Sequence, residues 1–131
     1  MKKLIIHTDG VSRGNPGRAA IGAIIHDEKG GLVASISQGI GRATNNQAEY
    51  RAIITVLEKI LPLDADEIEL RSDSELIVKQ IKGQYRVKKE SLRSLYQRVK
   101  QLQGKLKGFK IKHIPRQYNR EADKLANAAL K

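Results

Sequence analysis

His7-Thr8-Asp9-Gly10-Val11-Ser12-Arg13-Gly14-Asn15-Pro16-Gly17 is the stretch that organises the chain. The apolar run Leu4-Ile5-Ile6 leads straight into Asp9, and the pattern then breaks into glycine and proline. This predicts a buried strand over residues 3–9 that ends on a carboxylate and is followed by a tight loop. Gly10, Gly14 and Gly17 allow positive φ or the close approach of another backbone, and Pro16 stiffens the loop. A lone aspartate at such a place reads most simply as a polar turn residue. The acids elsewhere in the chain give it a second meaning.

Working outward, Ala20–His26 and Leu32–Gln38 read as two further strands joined as a hairpin through Asp27-Glu28-Lys29-Gly30-Gly31, so the sheet begins antiparallel. Gly39–Ala43 reads as a loop. Thr44-Asn45-Asn46-Gln47 has the form of a capping box and opens a helix that runs to about Leu61, where Pro62 ends it. Its apolar stripe is Ile53, Val56, Leu57, Ile60 and Leu61, and one turn further back the stripe reaches Glu49. An acid near a helix start suits the dipole, but such an acid normally points outward, and this one lies on the inward line. Glu67–Ser72 is a short strand that ends at Asp73. A helix from about Ser74 to Lys82 follows, with Leu76, Ile77, Gln80 and Ile81 inward, and Gln84–Lys89 forms a basic connector. Another helix spans about Glu90 to Gln103. The last strand, Phe109–Ile114, contains His113, expected to be packed within it. Asn119 is expected to cap a final helix with Ala122, Leu125, Ala126, Ala129 and Leu130 inward and Asp123 beside them.

The 131 residues suit one domain over 1–131. The absence of cysteine excludes disulfides, thiolate zinc sites and thiol nucleophiles. No run approaches the ~18 apolar residues of a membrane span and no leader pattern opens the chain, so a soluble, cytoplasmic monomer is expected. The net charge of +11 is concentrated: residues 79–112 hold twelve basic side chains and one acid, and the remaining residues balance. Such segregation favours a polyanion, and nucleic acid rather than a membrane, because no strong apolar face accompanies the bases.

Asp9 and Asp73 end strands, while Glu49 and Asp123 sit near helix starts; in a sheet-and-helix domain these places gather at one edge, where ligands bind. Four carboxylates there repel one another, and a purely oxygen donor set selects a hard cation, Mg²⁺ or Mn²⁺. Two such ions ~3.5–4 Å apart suit phosphodiester displacement. Four motifs carry a family resemblance: Thr8-Asp9-Gly10 with Gly14-Asn15-Pro16-Gly17, Thr44-Asn45-Asn46-Gln47-Ala48-Glu49, Ser72-Asp73-Ser74, and Asn119-Arg120-Glu121-Ala122-Asp123. In that order and spacing the chain resembles the type 1 ribonuclease H family over nearly its whole length. The resemblance implies an α/β ribonuclease H-like fold, a five-stranded mixed sheet flanked by helices. It implies Asp9, Glu49, Asp73 and Asp123 as catalytic metal ligands, and cleavage of the RNA strand of RNA–DNA hybrids. It further implies Asn15 and Asn46 as contacts to RNA 2′-hydroxyls, and Thr44 and Asn45 as a pocket for a DNA-strand phosphate. Turn and cap roles account for the same side chains.

Two departures stand out. Pro115-Arg116-Gln117-Tyr118 is too short for the histidine loop of longer members, which makes Arg116 the candidate auxiliary cation. No basic protrusion separates the helices, which leaves the connector with Lys88 and Lys89 to hold substrate. The competing readings are a same-fold nuclease that also cuts double-stranded RNA or DNA junctions, and a non-catalytic hybrid- or duplex-RNA-binding module.

Overall fold

Leu4, Ile6 and Thr8 point to one face of the first strand and are buried there, as period-two alternation requires where one side of a sheet packs on helices. The computed structural model describes residues 2–131. Strands β1 (Lys3–Gly14), β2 (Gly17–Asp27) and β3 (Leu32–Ala43) form an antiparallel meander. Helix α1 (Asn45–Ile60) then crosses to β4 (Glu67–Ser72), which pairs parallel with β1. Helices α2 (Glu75–Ile81) and α3 (Glu90–Gly104) lead to β5 (Phe109–His113), parallel to β4, and α4 (Arg120–Ala128) closes the chain. The sheet order is β3-β2-β1-β4-β5, which is the five-stranded mixed arrangement expected.

Three helices build the core on one face. Tyr50, Ile53, Leu57 and Ile60 of α1 meet Leu4, Ile6, Ile25, Ile68 and Leu70 of the sheet, with Ile77 and Ile81 of α2 and Leu92, Val99 and Leu102 of α3 around them. The Tyr50 hydroxyl donates to Gln80 Oε1 at 2.7 Å, so the one polar side chain on α2's inner face is satisfied. On the other face α4 lays Ala122 and Ala126 over β2, with Leu130 buried just past its end, while the exposed part of the sheet carries charge. There Glu69 is buried between Arg71 at 2.6 Å, Lys112 at 3.3 Å and Lys3 at 3.5 Å. Burial alone pushes the Glu69 carboxyl up; the hydrogen bond and charge of Arg71, with those of Lys112, outweigh it and hold the pKa at about 2.

Several expectations need correction. β1 does not end at Asp9 but runs on to Gly14, and Asn15 and Pro16 alone fill the turn to Gly17. Gly39–Ala43 is strand as well, an edge segment whose bulge skips Ile40. Leu76 is exposed, and Val78 takes the inward place. His113 is exposed at the end of β5 rather than packed in it. Asn119 makes no side-chain cap. Glycine misled the reading of β1 because its use there is a close approach rather than a turn. A Cβ at Gly10 would lie under 3.0 Å from the backbone of Ala48 and Glu49, and one at Gly22 would meet Ala122 and Ala126 of α4 as closely.

Gly22→Ala is therefore expected to push α4 off the sheet and cost ~1–3 kcal/mol, read as a lowered Tm. Glu69→Gln should lower Tm at pH 7. Because the folded pKa lies below the ordinary carboxylate value, its contribution is present above that value and is lost as pH falls toward 2, so parent and variant should converge on acidification.

Candidate active site

The parallel pairing of β1 with β4 ends at Thr8 opposite Ser72, so the next residues, Asp9 still paired with β2 and Asp73 just past the end of β4, come out side by side. Glu49 arrives from the first turns of α1. Thr44 fixes that start: its Oγ1 accepts from Gln47 N at 3.1 Å, and Gln47 Oε1 accepts from Thr44 N at 2.8 Å. The sequence-predicted capping box is formed. The contact of α1 with Gly10 then brings Glu49 Oε1 within 2.8 Å of Gly10 N, which donates to it, and Ser72 Oγ lies 3.5 Å from Glu49 Oε2. Carboxylate oxygens of Asp9, Glu49 and Asp73 lie within 4.8 Å of one another.

Asp123 reaches the same place from α4, beside Asp9. Asn119 does the positioning here. It is buried, and its Nδ2 donates to the carbonyl of Thr8 at 2.8 Å, while its own carbonyl accepts from Asp123 N at 3.2 Å. One side chain thus ties the residue before Asp9 to the turn that carries Asp123. Sequence reasoning took Asn119 for a cap and gave Ser72, named only within a motif and as a strand end, no role of its own. Each was legible only as a neighbour of an acid.

The four acids and Arg116 share one open cleft of about 490 Å³, with Asn45, Asn46 and Ser74 along its wall. Asn15 stands outside it, yet its Oδ1 accepts from Asn45 N at 3.2 Å. Lys88 and Lys89 do not join the cleft; they lie exposed on the connector before α3. Beside them Tyr85, Arg86, Val87, Arg93 and Tyr96 border a second depression of about 450 Å³.

Burial raises the pKa of both Asp9 and Glu49. Asp9 is raised further by the charge of Glu49, by hydrogen bonding with Glu49 and Asp123, and by the charge of Asp73. Glu49 is partly relieved by hydrogen bonds with Asp9 and Gly10. Without a cation the pair retains a proton that free carboxylates would have lost near neutrality. Oxygen donors in this number, too close to remain charged together, fit divalent metal ions of the Mg²⁺ or Mn²⁺ type.

A mixed sheet of this order that gathers its acids beyond the parallel strand ends defines a ribonuclease H-like domain. The reverse transcriptase-like family model matches residues 7–129. Ribonuclease HI of Halobacterium salinarum is 47% identical over 122 residues, which is 93% of this chain and 61% of that protein. A bifunctional protein of Mycobacterium tuberculosis is 40% identical over 98% of this chain and 35% of its own length. The chain therefore spans about three fifths and one third of these relatives. The crystal structure of the H. salinarum RNase H1 has a TM-score of 0.94, with 44% identity, covering 98% of this chain and 97% of that one. LC11-RNase H1 in complex with RNA/DNA hybrid has a TM-score of 0.92 at 43% identity, covering 96% of this chain and 95% of that one. The chain belongs to the type 1 ribonuclease H family. Its α2–α3 connector holds no extra helix, and only a short 3₁₀ turn, Arg116–Tyr118, separates β5 from α4.

Asp9→Asn is expected to fold. A carboxyl whose folded pKa exceeds its unfolded value loses stability as pH rises between the two, so in chelator the variant should melt at or above the parent, increasingly so from pH 5 to 8. Added Mg²⁺ should raise the Tm of the parent far more than that of the variant.

Proposed function

We propose that this chain hydrolyses the RNA strand of RNA–DNA hybrids, using two divalent ions, Mg²⁺ or alternatively Mn²⁺. The observation that carries the reading is the convergence of Asp9, Glu49 and Asp73 within one metal-sized cluster, with Asp123 beside Asp9. Asp9, Glu49, Asp73 and Asp123 would hold the ions. When bound, these supply a water activated for attack and stabilise the oxygen that leaves. Water adds at phosphorus, the bond to the 3′-oxygen breaks, and that oxygen takes a proton, leaving a 3′-hydroxyl and a 5′-phosphate.

The chain's own groups do the positioning. Asn46, on the cleft wall, suits a 2′-hydroxyl, the group that marks the RNA strand. Asn15 accepts from Asn45 N with its oxygen and keeps its amide NH₂ for the same task. Thr44 and Asn45 stand at the start of α1, a place suited to a phosphate of the DNA strand. Arg116 offers a planar guanidinium fork, whose role is to orient or neutralise a phosphate. Lys88 and Lys89 would hold the backbone further out. The protein acts as a monomer on this reading.

One assay tests it: labelled RNA–DNA hybrid, RNA duplex and DNA duplex, each with Mg²⁺, Mn²⁺ or chelator. Metal-dependent cutting of the RNA in the hybrid is expected, with Asp9→Asn reduced at least a thousandfold, on the order of 4 kcal/mol. Equal cutting of RNA duplex would widen the substrate class, and binding without cutting would make the chain a non-catalytic module. Arg116→Ala should lower kcat by roughly ten- to a thousandfold, or 1.4–4 kcal/mol, with little change in Tm. Reversing Lys88 and Lys89 to glutamate should flatten the dependence of log Kd on log salt by about two. The same change at Lys29 and Lys59, on the β2–β3 turn and at the end of α1, should leave the slope nearly intact.

A further inference from the structure

The catalytic cleft does not end at Asp123. Arg116 and Asp123 also line an adjoining depression, together with Gln117 and Arg120. Gln117 and Arg120 in turn line a third, of about 210 Å³, floored by His7 and Ile24 and walled by Tyr118 and Glu121. Shared residues make the three a continuous trench that leads from the carboxylates around the start of α4.

The chemistry changes along it. Near the carboxylates the trench offers the guanidinium groups of Arg116 and Arg120, both exposed and neither paired with an acid among the described residues. At its far end it offers Tyr118, 68% exposed, beside a floor of His7 and Ile24. The Glu121 carboxylate there repels phosphate but accepts hydrogen bonds from exocyclic amino groups. Cation first, then an aromatic ring beside an acceptor, is the order of groups in one nucleotide, phosphate then base. The far pocket is smaller than the ~300 Å³ of sites that enclose drug-sized ligands, and it suits a single ring system. The walls are held rigidly for an exposed segment: Tyr118 N donates to Pro115 O at 3.0 Å and Asn119 N to Arg116 O at 3.0 Å, and Asn119 is itself tied to β1.

We propose that this trench holds an unpaired nucleotide of the RNA strand adjoining the hybrid, with its phosphate at Arg120 and its base on Tyr118. A paired base keeps both faces in the duplex stack and has none to offer a tyrosine, so the occupant is single-stranded. It is the RNA strand because the trench opens from the carboxylates that strand would cross. The inference rests on the activity proposed above and extends it to substrates in which hybrid meets single-stranded RNA.

The test uses the Asp9→Asn chain, so that binding is read without cutting, and a short hybrid with a single-stranded RNA extension at its 5′ or 3′ end. Each extension is made with normal bases and with abasic residues, which keep the phosphates and remove the stack. On one of the two ends the base-bearing extension should bind roughly five- to 150-fold tighter than the abasic one, the range of stacking on an aromatic side chain. Adding Tyr118→Ala should bring that ratio to about one, and Tyr118→Phe should preserve it. Adding Arg120→Ala should weaken both extensions alike. A ratio of one on both ends, a ratio that survives Tyr118→Ala, or the same gain from a DNA extension would overturn the proposal. Cleavage of the blunt hybrid by the parent is scored separately, so failure of the activity and failure of the trench are distinct results.

Discussion

Two side chains that are not there set the geometry of this molecule. Gly10 and Gly22 lie on neighbouring strands, and each is touched by the backbone of a different helix at a distance no Cβ permits. α1 rests on Gly10 and α4 on Gly22, and these two helices carry Glu49 and Asp123. Asp9 sits between them, next to Gly10 in the chain and opposite Gly22 in the register. Close helix contact from both sides thus brings acids from three elements against a fourth, Asp73, just past the end of β4. The cluster is electrostatically unfavourable without a cation, and the bonds from Gly10 N and Ser72 Oγ to Glu49 offset only part of that. What holds it is apolar packing elsewhere, along Ile53, Leu57 and Ile60 on one face and Ala122 and Ala126 on the other.

The same division of labour governs the positive charge. Of the twelve bases between residues 79 and 112, five pair with acids outside that segment: Lys79 with Glu75, Arg98 with Glu58, Lys107 with Asp64, Lys110 with Glu67 and Lys112 with Glu69. These belong to the fold rather than to a partner, and Lys112 offsets the burial of Glu69. Lys82, Arg86, Lys88, Lys89 and Arg93, around the connector, have no acid within reach among the described residues. The formal charge of the segment therefore overstates its outward field, and the connector is where that field is concentrated.

The four acids were legible because each sits where a periodicity ends or continues: Asp9 after an apolar run, Asp73 after an alternating strand, Glu49 one turn back along an apolar stripe, Asp123 beside another. The extent of β1 was not. Glycine and proline signal a turn locally, whereas Gly10 serves a helix that arrives 38 residues later, and no local pattern records that approach. His113 follows the alternation of its strand, but the strand stops there and nothing covers it. Leu76 and Val78 lie on the same short helix, and seven residues do not fix which side faces in. In each case the pattern gave the element and the tertiary partner decided the face.

Asn119 shows how a polar residue can do what the glycines do by absence. Arg116–Tyr118 is a single turn of 3₁₀ helix, too little to orient α4 by its own hydrogen bonds. A bond of 2.8 Å from the buried amide to the Thr8 carbonyl fixes that turn to the strand that carries Asp9. Asp123 N closes on the same residue's carbonyl. The distance between Asp9 and Asp123 is thus set through one side chain and one helical turn. Arg116 lies three residues before that anchor on the same rigid turn, so the fixation that places the acid also places the cation. A connection this short leaves the guanidinium no independent motion of its backbone, and Arg116 is presented to the cleft by geometry rather than by a mobile loop.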